Sequence, residues 1–171
     1  ICRNSSPLTE SDLDTTDRLN DALDELTKLS NFLRANTDQI REIAARVVTA
    51  VTAGNTIYFI GNGGAAAEAQ HIAAELVGRM RRQRGPLPAL ALTTDASILT
   101  AISNDWDFDQ VFERQVEAHC SPGDIVVGLS GSGNSVNLVK GLSAAKSKGA
   151  LSVACTGSSP NKLSDIADLT I

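Results

Sequence analysis

The protein has 171 residues, of which 42% are hydrophobic, and this composition suits one folded domain rather than a disordered chain. Its formal net charge is -5, its acids and bases are interleaved, and only 4% of its residues are aromatic, so no nucleic-acid partner is expected. No apolar run approaches the roughly 20 residues of a membrane span, and the dispersed cysteines (Cys2, Cys120 and Cys155) form no disulfide framework, so we expect a cytoplasmic protein with reduced thiols and no membrane partner.

The N-terminal part of the chain has helical periodicity. Leucines recur at three- and four-residue spacing from about Thr9 to Asn36, which predicts a helix. Thr37 and Asp38 can cap a second helix that ends near Ala53. The leucine stripe is more apolar than one small sheet requires, so we expect it to pack against other subunits in a homotetramer.

From residue 55 onward, short apolar strands alternate with helices. The strands are expected at about 56–60, 89–92, 124–129, 151–155 and 169–171. Such alternation predicts a parallel sheet that is covered by helices on both faces. We therefore predict one α/β domain, a three-layer sandwich of about five parallel strands, with residues 1–54 as a helical segment and residues 55–171 as the core.

Two glycine-rich loops directly follow predicted strands, at residues 61–64 and 130–135. In parallel α/β sheets, ligands bind beyond the carboxyl ends of the strands. The second loop combines glycines, three serine hydroxyls and the start of a helix, and these features suit a phosphate group. The alternative is a flexible surface turn with a serine cap.

The first loop has a second possible interpretation. Gly61, Gly63 and Ala66 match the G-x-G-x-x-A pattern of dinucleotide-binding proteins. However, no acidic residue ends a strand about 20 positions later, since Asp95 is further away. A second phosphate loop on another strand also fits a phosphosugar better than a dinucleotide.

His71 and Glu75 lie four residues apart on the helix predicted after the first loop, so their side chains share one face. In one interpretation this face is ordinary helix surface, with His71–Glu75 and Glu75–Arg79 pairs. In the other, the face points into the cleft at the loop. Glu75 then acts as a general base, or the two residues hold a divalent metal with at least one further ligand from another segment or chain.

Three separated runs together carry a family resemblance: GNGGAAAEAQHIAAELVGRM, LPALALTTDASILTAISNDWDFDQVFERQVEA and GLSGSGNSVNLVKGL. In this order they resemble the phosphoheptose isomerases of the sugar isomerase (SIS) family, over roughly residues 55–171. The resemblance implies a flavodoxin-like SIS fold. It also implies the conversion of sedoheptulose 7-phosphate to D-glycero-D-manno-heptose 7-phosphate, the first step of ADP- or GDP-heptose biosynthesis.

The resemblance further implies cytosolic homotetramers with active sites between subunits, and one Zn²⁺ per subunit. His71 and Glu75 match metal ligands of the family, and Glu75 also matches its catalytic base. The positions that match substrate-binding residues are Asn62, Gly63, Gly64, Glu75, Asn104, Asp105, Ser130, Gly131, Ser132 and Ser135. From the residues alone, Asn104 and Asp105 could equally form a simple turn and helix cap.

The sequence departs from the family pattern at two loop positions. Ala65 stands where many members have serine, and Gly131 replaces a common threonine. The family's last long helix carries a glutamine and a histidine that complete the metal site and supply the general acid, and we expect both roles to lie outside residues 1–171.

Two other functions are alternatives to isomerisation. One is a non-catalytic SIS protein that binds the replication initiator DnaA, but Glu75 favours the enzyme because that relative lacks an acidic residue there. The other is the sugar-phosphate-sensing domain of a transcription regulator. It ranks last because no helix-turn-helix segment or basic face is evident.

Overall fold

The computed structural model describes residues 15–157 and 160–171, so the helix start predicted near Thr9 lies outside the described residues. The chain divides between Asp38 and Gln39 into two compact units, and each is described by itself. In the described part of the chain, no helix is long and apolar enough to cross a membrane.

The first unit contains helix α1, Thr15–Ala35. The predicted leucine stripe is present on this helix, and its large apolar side chains are 40% to 61% exposed: Leu19, Leu23, Leu26, Leu29, Phe32 and Leu33. Asn36 directly follows the helix, and its backbone and side-chain amides both donate to the carbonyl oxygen of Phe32. Within this unit, the stripe therefore remains largely open to solvent.

The second unit has the predicted alternation of strands and helices, with most boundaries within one to three residues of those expected. Its elements are α2 (Thr37–Thr52, which begins at the boundary between the units), β1 (Ile57–Gly61), α3 (Gly64–Val77), β2 (Ala89–Ala91), α4 (Ala96–Asp105), a 3₁₀ turn (Phe108–Gln110), α5 (Val111–His119), β3 (Ile125–Ser130), α6 (Val136–Ser147), β4 (Leu151–Thr156), α7 (Lys162–Ile166) and β5 (Leu169–Thr170).

The five strands form one sheet in the order β2-β1-β3-β4-β5, and every neighbouring pair is parallel. This confirms the predicted α/β fold with about five parallel strands. The sheet has helices on both faces because successive strand side chains point to opposite sides. In β1, Ile57 and Phe59 join the core under α2 and α3, whereas Tyr58 and Ile60 join the core under α4 to α7.

Helix α6 lies unusually close to the sheet. A Cβ atom at Gly141 would come within 2.9 Å of Ile60 Cδ1 and 3.1 Å of Phe112 Cβ. Leu138 and Leu142, on the same helix, are fully buried. The start of α6 is therefore held firmly against β1 and α5.

The carboxyl ends of β1 and β3 lie side by side, with Gly61 paired to Leu129. Strand β2, which follows β1 in the chain, lies on one side of β1, whereas β3 lies on its other side. The strand order therefore reverses between β1 and β3. Such a reversal opens a crevice in which ligands of parallel sheets commonly bind. The topology therefore places the two glycine-rich loops next to each other.

Helix α4 is longer than the sequence predicted. The sequence predicts a helical stretch around Ala96–Ile102, but α4 continues to Asp105. Asp95 caps its start by accepting a hydrogen bond from the Ile98 amide at 2.9 Å, and the Trp106 amide closes its end by donating to the carbonyl oxygen of Ile102 at 3.0 Å. The alternative in which Asn104 and Asp105 form a turn and cap is therefore wrong, since both belong to the last helical turn.

Candidate functional site

The first loop is shaped by the close approach of α3 to the end of β1. A Cβ atom at Gly61 would lie 2.6 Å from the carbonyl oxygen of Ala65, so any larger residue would displace the start of the helix. Gly63 has a φ of 58° and precedes the helix without a side-chain cap. Gly63 and Gly64 are exposed, and backbone amides at a helix start are good donors to an anion or a sugar oxygen.

The side chain of Asn62 connects this loop to α6. Its Nδ2 donates to Asn137 Oδ1 at 2.9 Å, and Asn137 Nδ2 donates back to Asn62 Oδ1 at 2.9 Å. Asn137 is only 3% exposed. The sequence analysis missed Asn137, because an asparagine in the first turn of a helix has no distinctive pattern and its partner is 75 residues away.

The second loop is braced by its own hydrogen bonds and by the start of α7. Ser130 Oγ accepts a hydrogen bond from the Gly133 amide at 3.0 Å. Gly133 has a φ of 63°, and a Cβ atom there would overlap the Asn161 side chain at 2.1 Å. The Leu163 amide donates to the carbonyl oxygen of Gly133 at 2.9 Å. These contacts hold Gly133 against Asn161 and Leu163 at the start of α7.

The serines of this loop keep donors for a ligand. Ser135 occupies the N-cap position of α6, but its side chain makes no capping hydrogen bond. The oxygens of Ser130 and Ser132 accept from backbone amides, which leaves their hydroxyl hydrogens to donate elsewhere. The alternative of a serine-capped turn is therefore wrong for Ser135. Gly131 is exposed, and a Cβ atom there would meet no other atom within 4 Å, so a ligand can approach its backbone from that side.

His71 and Glu75 lie on α3, as predicted, and face each other. His71 Nε2 is 3.9 Å from Glu75 Oε1, with side-chain exposures of 71% and 34%. The other carboxylate oxygen, Oε2, is buried and has no hydrogen-bond partner. A buried polar atom without a partner is uncommon and marks the carboxylate as a candidate for a function beyond stability. Among the described ion pairs, Glu75 has His71 as a partner and not Arg79.

Two donors of the expected metal site fit a zinc ion. An imidazole nitrogen and a carboxylate oxygen are usual zinc ligands, and Glu75 Oε2 has no competing hydrogen bond. In residues 15–157 and 160–171, however, no three His, Cys, Asp or Glu side chains lie close enough to hold a metal ion. His71 and Glu75 would therefore need further ligands from outside these residues or from another subunit.

A further residue that the sequence analysis missed supports the helix that carries Glu75. Arg84 Nη2 donates to the carbonyl oxygen of Glu75 at 2.7 Å, and Nη1 donates to that of Leu76 at 2.7 Å. These bonds satisfy carbonyl groups at the end of α3 that have no partner within the helix. The cluster of arginines after the helix, at positions 79, 81, 82 and 84, was the available signal.

Asn104 and Asp105 lie in the last turn of α4. Asn104 Nδ2 donates to Asp105 Oδ1 at 2.9 Å, and both residues are exposed. They are the ninth and tenth residues of α4, so they lie about 12 to 14 Å along the helix from its start at Ala96. No hydrogen bond or ion pair among the described residues joins them to either loop.

Comparisons with known proteins agree on one family. The sequence profile described as "SIS domain" matches residues 23–157. Phosphoheptose isomerase of Aquifex aeolicus is 52% identical over 139 residues, which cover 81% of this chain and 73% of that protein. Phosphoheptose isomerase of Rhodospirillum rubrum is 50% identical over 132 residues, which cover 77% of this chain and 70% of that protein.

Solved structures give the same result. The phosphoheptose isomerase of Neisseria gonorrhoeae matches with a TM-score of 0.83 and 34% identity, over 91% of this chain and 84% of that one. The enzyme of Francisella tularensis matches with a TM-score of 0.82 and 28% identity, over 90% of this chain and 82% of that one. The chain therefore belongs to the SIS domain family and, within it, to the phosphoheptose isomerases.

Proposed function

We propose that the protein is a cytoplasmic aldose–ketose isomerase that converts sedoheptulose 7-phosphate to D-glycero-D-manno-heptose 7-phosphate. This reaction is the first step of ADP- or GDP-heptose biosynthesis. The observation that carries the proposal is that the serine loop and the Gly61–Gly64 loop follow neighbouring parallel strands. Glu75 lies on helix α3, which starts at the Gly61–Gly64 loop. The names of the relatives support the substrate class.

The serine loop would hold the phosphate group. Ser130, Ser132 and Ser135 keep hydroxyl donors, and α6 adds the positive end of its dipole. These local donors matter because the formal net charge of -5 disfavours anions at long range. Anchoring the phosphate would fix the distant carbonyl end of the sugar against Glu75.

Glu75 would move the proton. Its carboxylate would remove a proton from C1 of the ketose, while the general acid expected outside residues 1–171 would give a proton to the C2 oxygen, and an enediol would form. Return of the proton from Glu75 to C2, with the C1 hydroxyl proton passing back to that general acid, would yield the aldose. The buried Oε2 supports this role, because no protein hydrogen bond competes for it. Asn62, Gly63 and Gly64 would contact sugar oxygens from the first loop.

We also propose that His71 and Glu75 contribute to a zinc site. When bound, a zinc ion would supply positive charge that stabilises a negatively charged sugar oxygen. The donor types and the unpaired Oε2 atom support this assignment.

Assembly into a homotetramer would complete the site. Asn104 and Asp105 lie at the end of α4 that is distant from β2, so as substrate contacts they would serve a site on a neighbouring subunit. Trp106 and Phe108, which follow them, are 52% and 54% exposed, and this apolar surface supports a subunit contact there.

The direct test is incubation of the full-length protein with sedoheptulose 7-phosphate, with products identified by NMR. We expect a new aldoheptose 7-phosphate, and we expect a zinc chelator to slow its formation and added zinc to restore it. A sample that binds the sugar phosphate but forms no product contradicts the enzyme. If the same sample bound DnaA, the regulatory alternative would replace it.

A further inference from the structure

Asn137 is a buried polar residue whose side-chain oxygen and nitrogen each make a hydrogen bond to the same neighbour. It is 3% exposed in the first turn of α6. Burying an amide is costly unless its polar atoms find hydrogen-bond partners. Asn62 provides a partner for both the oxygen and the nitrogen of the Asn137 side chain, through two reciprocal hydrogen bonds of 2.9 Å. The described residues offer no other partner to either side-chain amide.

These two bonds join the two loops of the site. Asn62 directly follows β1, and Asn137 is the second residue after the serine loop that follows β3. The close contact of Gly141 with Ile60 and Phe112 holds α6 against the sheet. The backbone of Asn137, on the same helix, is therefore held in place. Asn62 is only partly buried and lies on the loop side of this pair.

We infer that Asn137 is a positioning residue that orients the Asn62 amide toward the carbon chain of the sugar phosphate. This inference rests on the proposed function. Asn137 engages the Asn62 oxygen and one of its two N–H groups, so the second N–H is left as a donor to a sugar oxygen. Without Asn137, the Asn62 amide can rotate and present its oxygen instead, which repels a carbonyl or enediolate oxygen.

A merely structural role of Asn137 would change the binding of different ligands. If Asn137 only supported the serine loop, its loss would weaken the binding of inorganic phosphate and of the sugar phosphate together. If Asn137 acts through Asn62, its loss weakens the binding of the sugar phosphate alone. The two roles are therefore separated by comparing sugar phosphate with inorganic phosphate.

The experiment is a double-mutant cycle with Asn62→Ala and Asn137→Ala in the full-length protein. It measures kcat/KM and the dissociation constant for sedoheptulose 7-phosphate, and the inhibition constant of inorganic phosphate. Each single variant is expected to lose about tenfold in kcat/KM, and the double variant is expected to lose about tenfold rather than a hundredfold, because both remove the same interaction. The inhibition constant of phosphate is expected to stay within about twofold of the wild-type value.

Two further variants control for effects of the substitutions on folding. Ser152→Ala removes a different buried polar group, near the amino end of β4, and is expected to lower stability without changing kcat/KM. If Asn137→Ala fails to fold, Asn137→Ser takes its place in the cycle, because serine retains a hydrogen-bonding group in less space.

The outcomes separate the inference from the proposed function. Additive losses, or a parallel loss of phosphate affinity, overturn the role of Asn137 while leaving the isomerase intact. Non-additive losses in the dissociation constant, in a protein without turnover, uphold the role of Asn137 and overturn the isomerase. A wild-type protein that does not bind the sugar phosphate overturns both.

Discussion

At the scale of single residues, Glu75 differs from an ordinary helix-surface carboxylate, because its Oε2 atom is buried without a hydrogen bond. Glu75→Gln keeps the size of the side chain but removes the proton acceptor. We expect kcat to fall by roughly two to four orders of magnitude, the scale of general-base loss, with a much smaller change in KM. Steady-state kinetics with sedoheptulose 7-phosphate check this, together with zinc analysis of both proteins.

The control for Glu75 is Glu68→Gln, an exposed carboxylate seven residues earlier on the same helix. It is expected to behave like the wild type. Folding is expected to change little in Glu75→Gln, since a pair at i,i+4 spacing contributes only about 0.5 kcal/mol. Near-normal turnover of Glu75→Gln would reduce Glu75 to a surface partner of His71.

Asp168 provides a second prediction at this scale, on stability rather than activity. Its carboxylate accepts hydrogen bonds from the Ser152 amide at 2.9 Å and the Ser152 hydroxyl at 2.7 Å, and it lies 3.2 Å from Lys146 Nζ. Burial alone would raise the pKa of Asp168, but the bonds from Ser152 and the charge of Lys146 together lower this pKa below its ordinary value.

A carboxyl group with a lowered folded-state pKa stabilises the fold above its unfolded pKa of about 3.9 and loses that contribution as the pH falls through the folded pKa. We therefore expect Asp168→Asn to be less stable than the wild type near neutral pH, and the difference to shrink below about pH 4. Urea unfolding of both proteins at several pH values measures this difference in the free energy of unfolding. A difference that does not vary with pH would contradict this account of Asp168.

At the scale of elements, the serine loop between β3 and α6 carries the phosphate assignment. Ser132→Asp places a negative charge in the loop, so affinity for the sugar phosphate is expected to fall by about tenfold or more through repulsion. Ser143→Asp adds the same charge to an exposed position of α6, eleven residues further along, and serves as the control. Calorimetry measures both affinities. Equal affinities of the two variants would place the phosphate elsewhere.

Most elements could be predicted because their patterns are local. The apolar run before Gly61 and the serine loop before α6 each mark a strand end, and the structure confirms both. Helix α4 continues to Asp105, beyond the stretch around Ala96–Ile102 that the sequence predicts, because Asn104 and Asp105 are weak helix formers that carry no local helix signal.

The candidate site was less predictable than the elements. His71 and Glu75 could be placed on one helix face by spacing alone. The Asn62–Asn137 pair joins residues 75 positions apart, and no local pattern reports such a contact. Whether Ser135 uses its hydroxyl as a cap also depends on side-chain geometry, which the sequence does not determine.

At the scale of the whole molecule, the stripe on α1 predicts assembly. Leu23 and Leu26 are 51% and 61% exposed in this single chain, and such a row of leucines is expected to be buried between subunits. We expect a tetramer at micromolar concentration by light scattering, and smaller species for Leu26→Glu. Asp24→Ala, which does not change a leucine of the stripe, is the control. A stable wild-type monomer would contradict the proposed assembly.

The central claim is that the molecule moves a proton between C1 and C2 of a ketose phosphate. The most direct measurement uses sedoheptulose 7-phosphate with deuterium at both C1 positions, incubated with the full-length protein in ordinary water and followed by NMR. The account predicts an aldoheptose 7-phosphate with one deuterium left at C1. At C2 it predicts either the transferred deuterium or, where Glu75 exchanges it with water before its return, a solvent proton. Recovery of the ketose with both deuterium atoms at C1, and no aldoheptose, would contradict it.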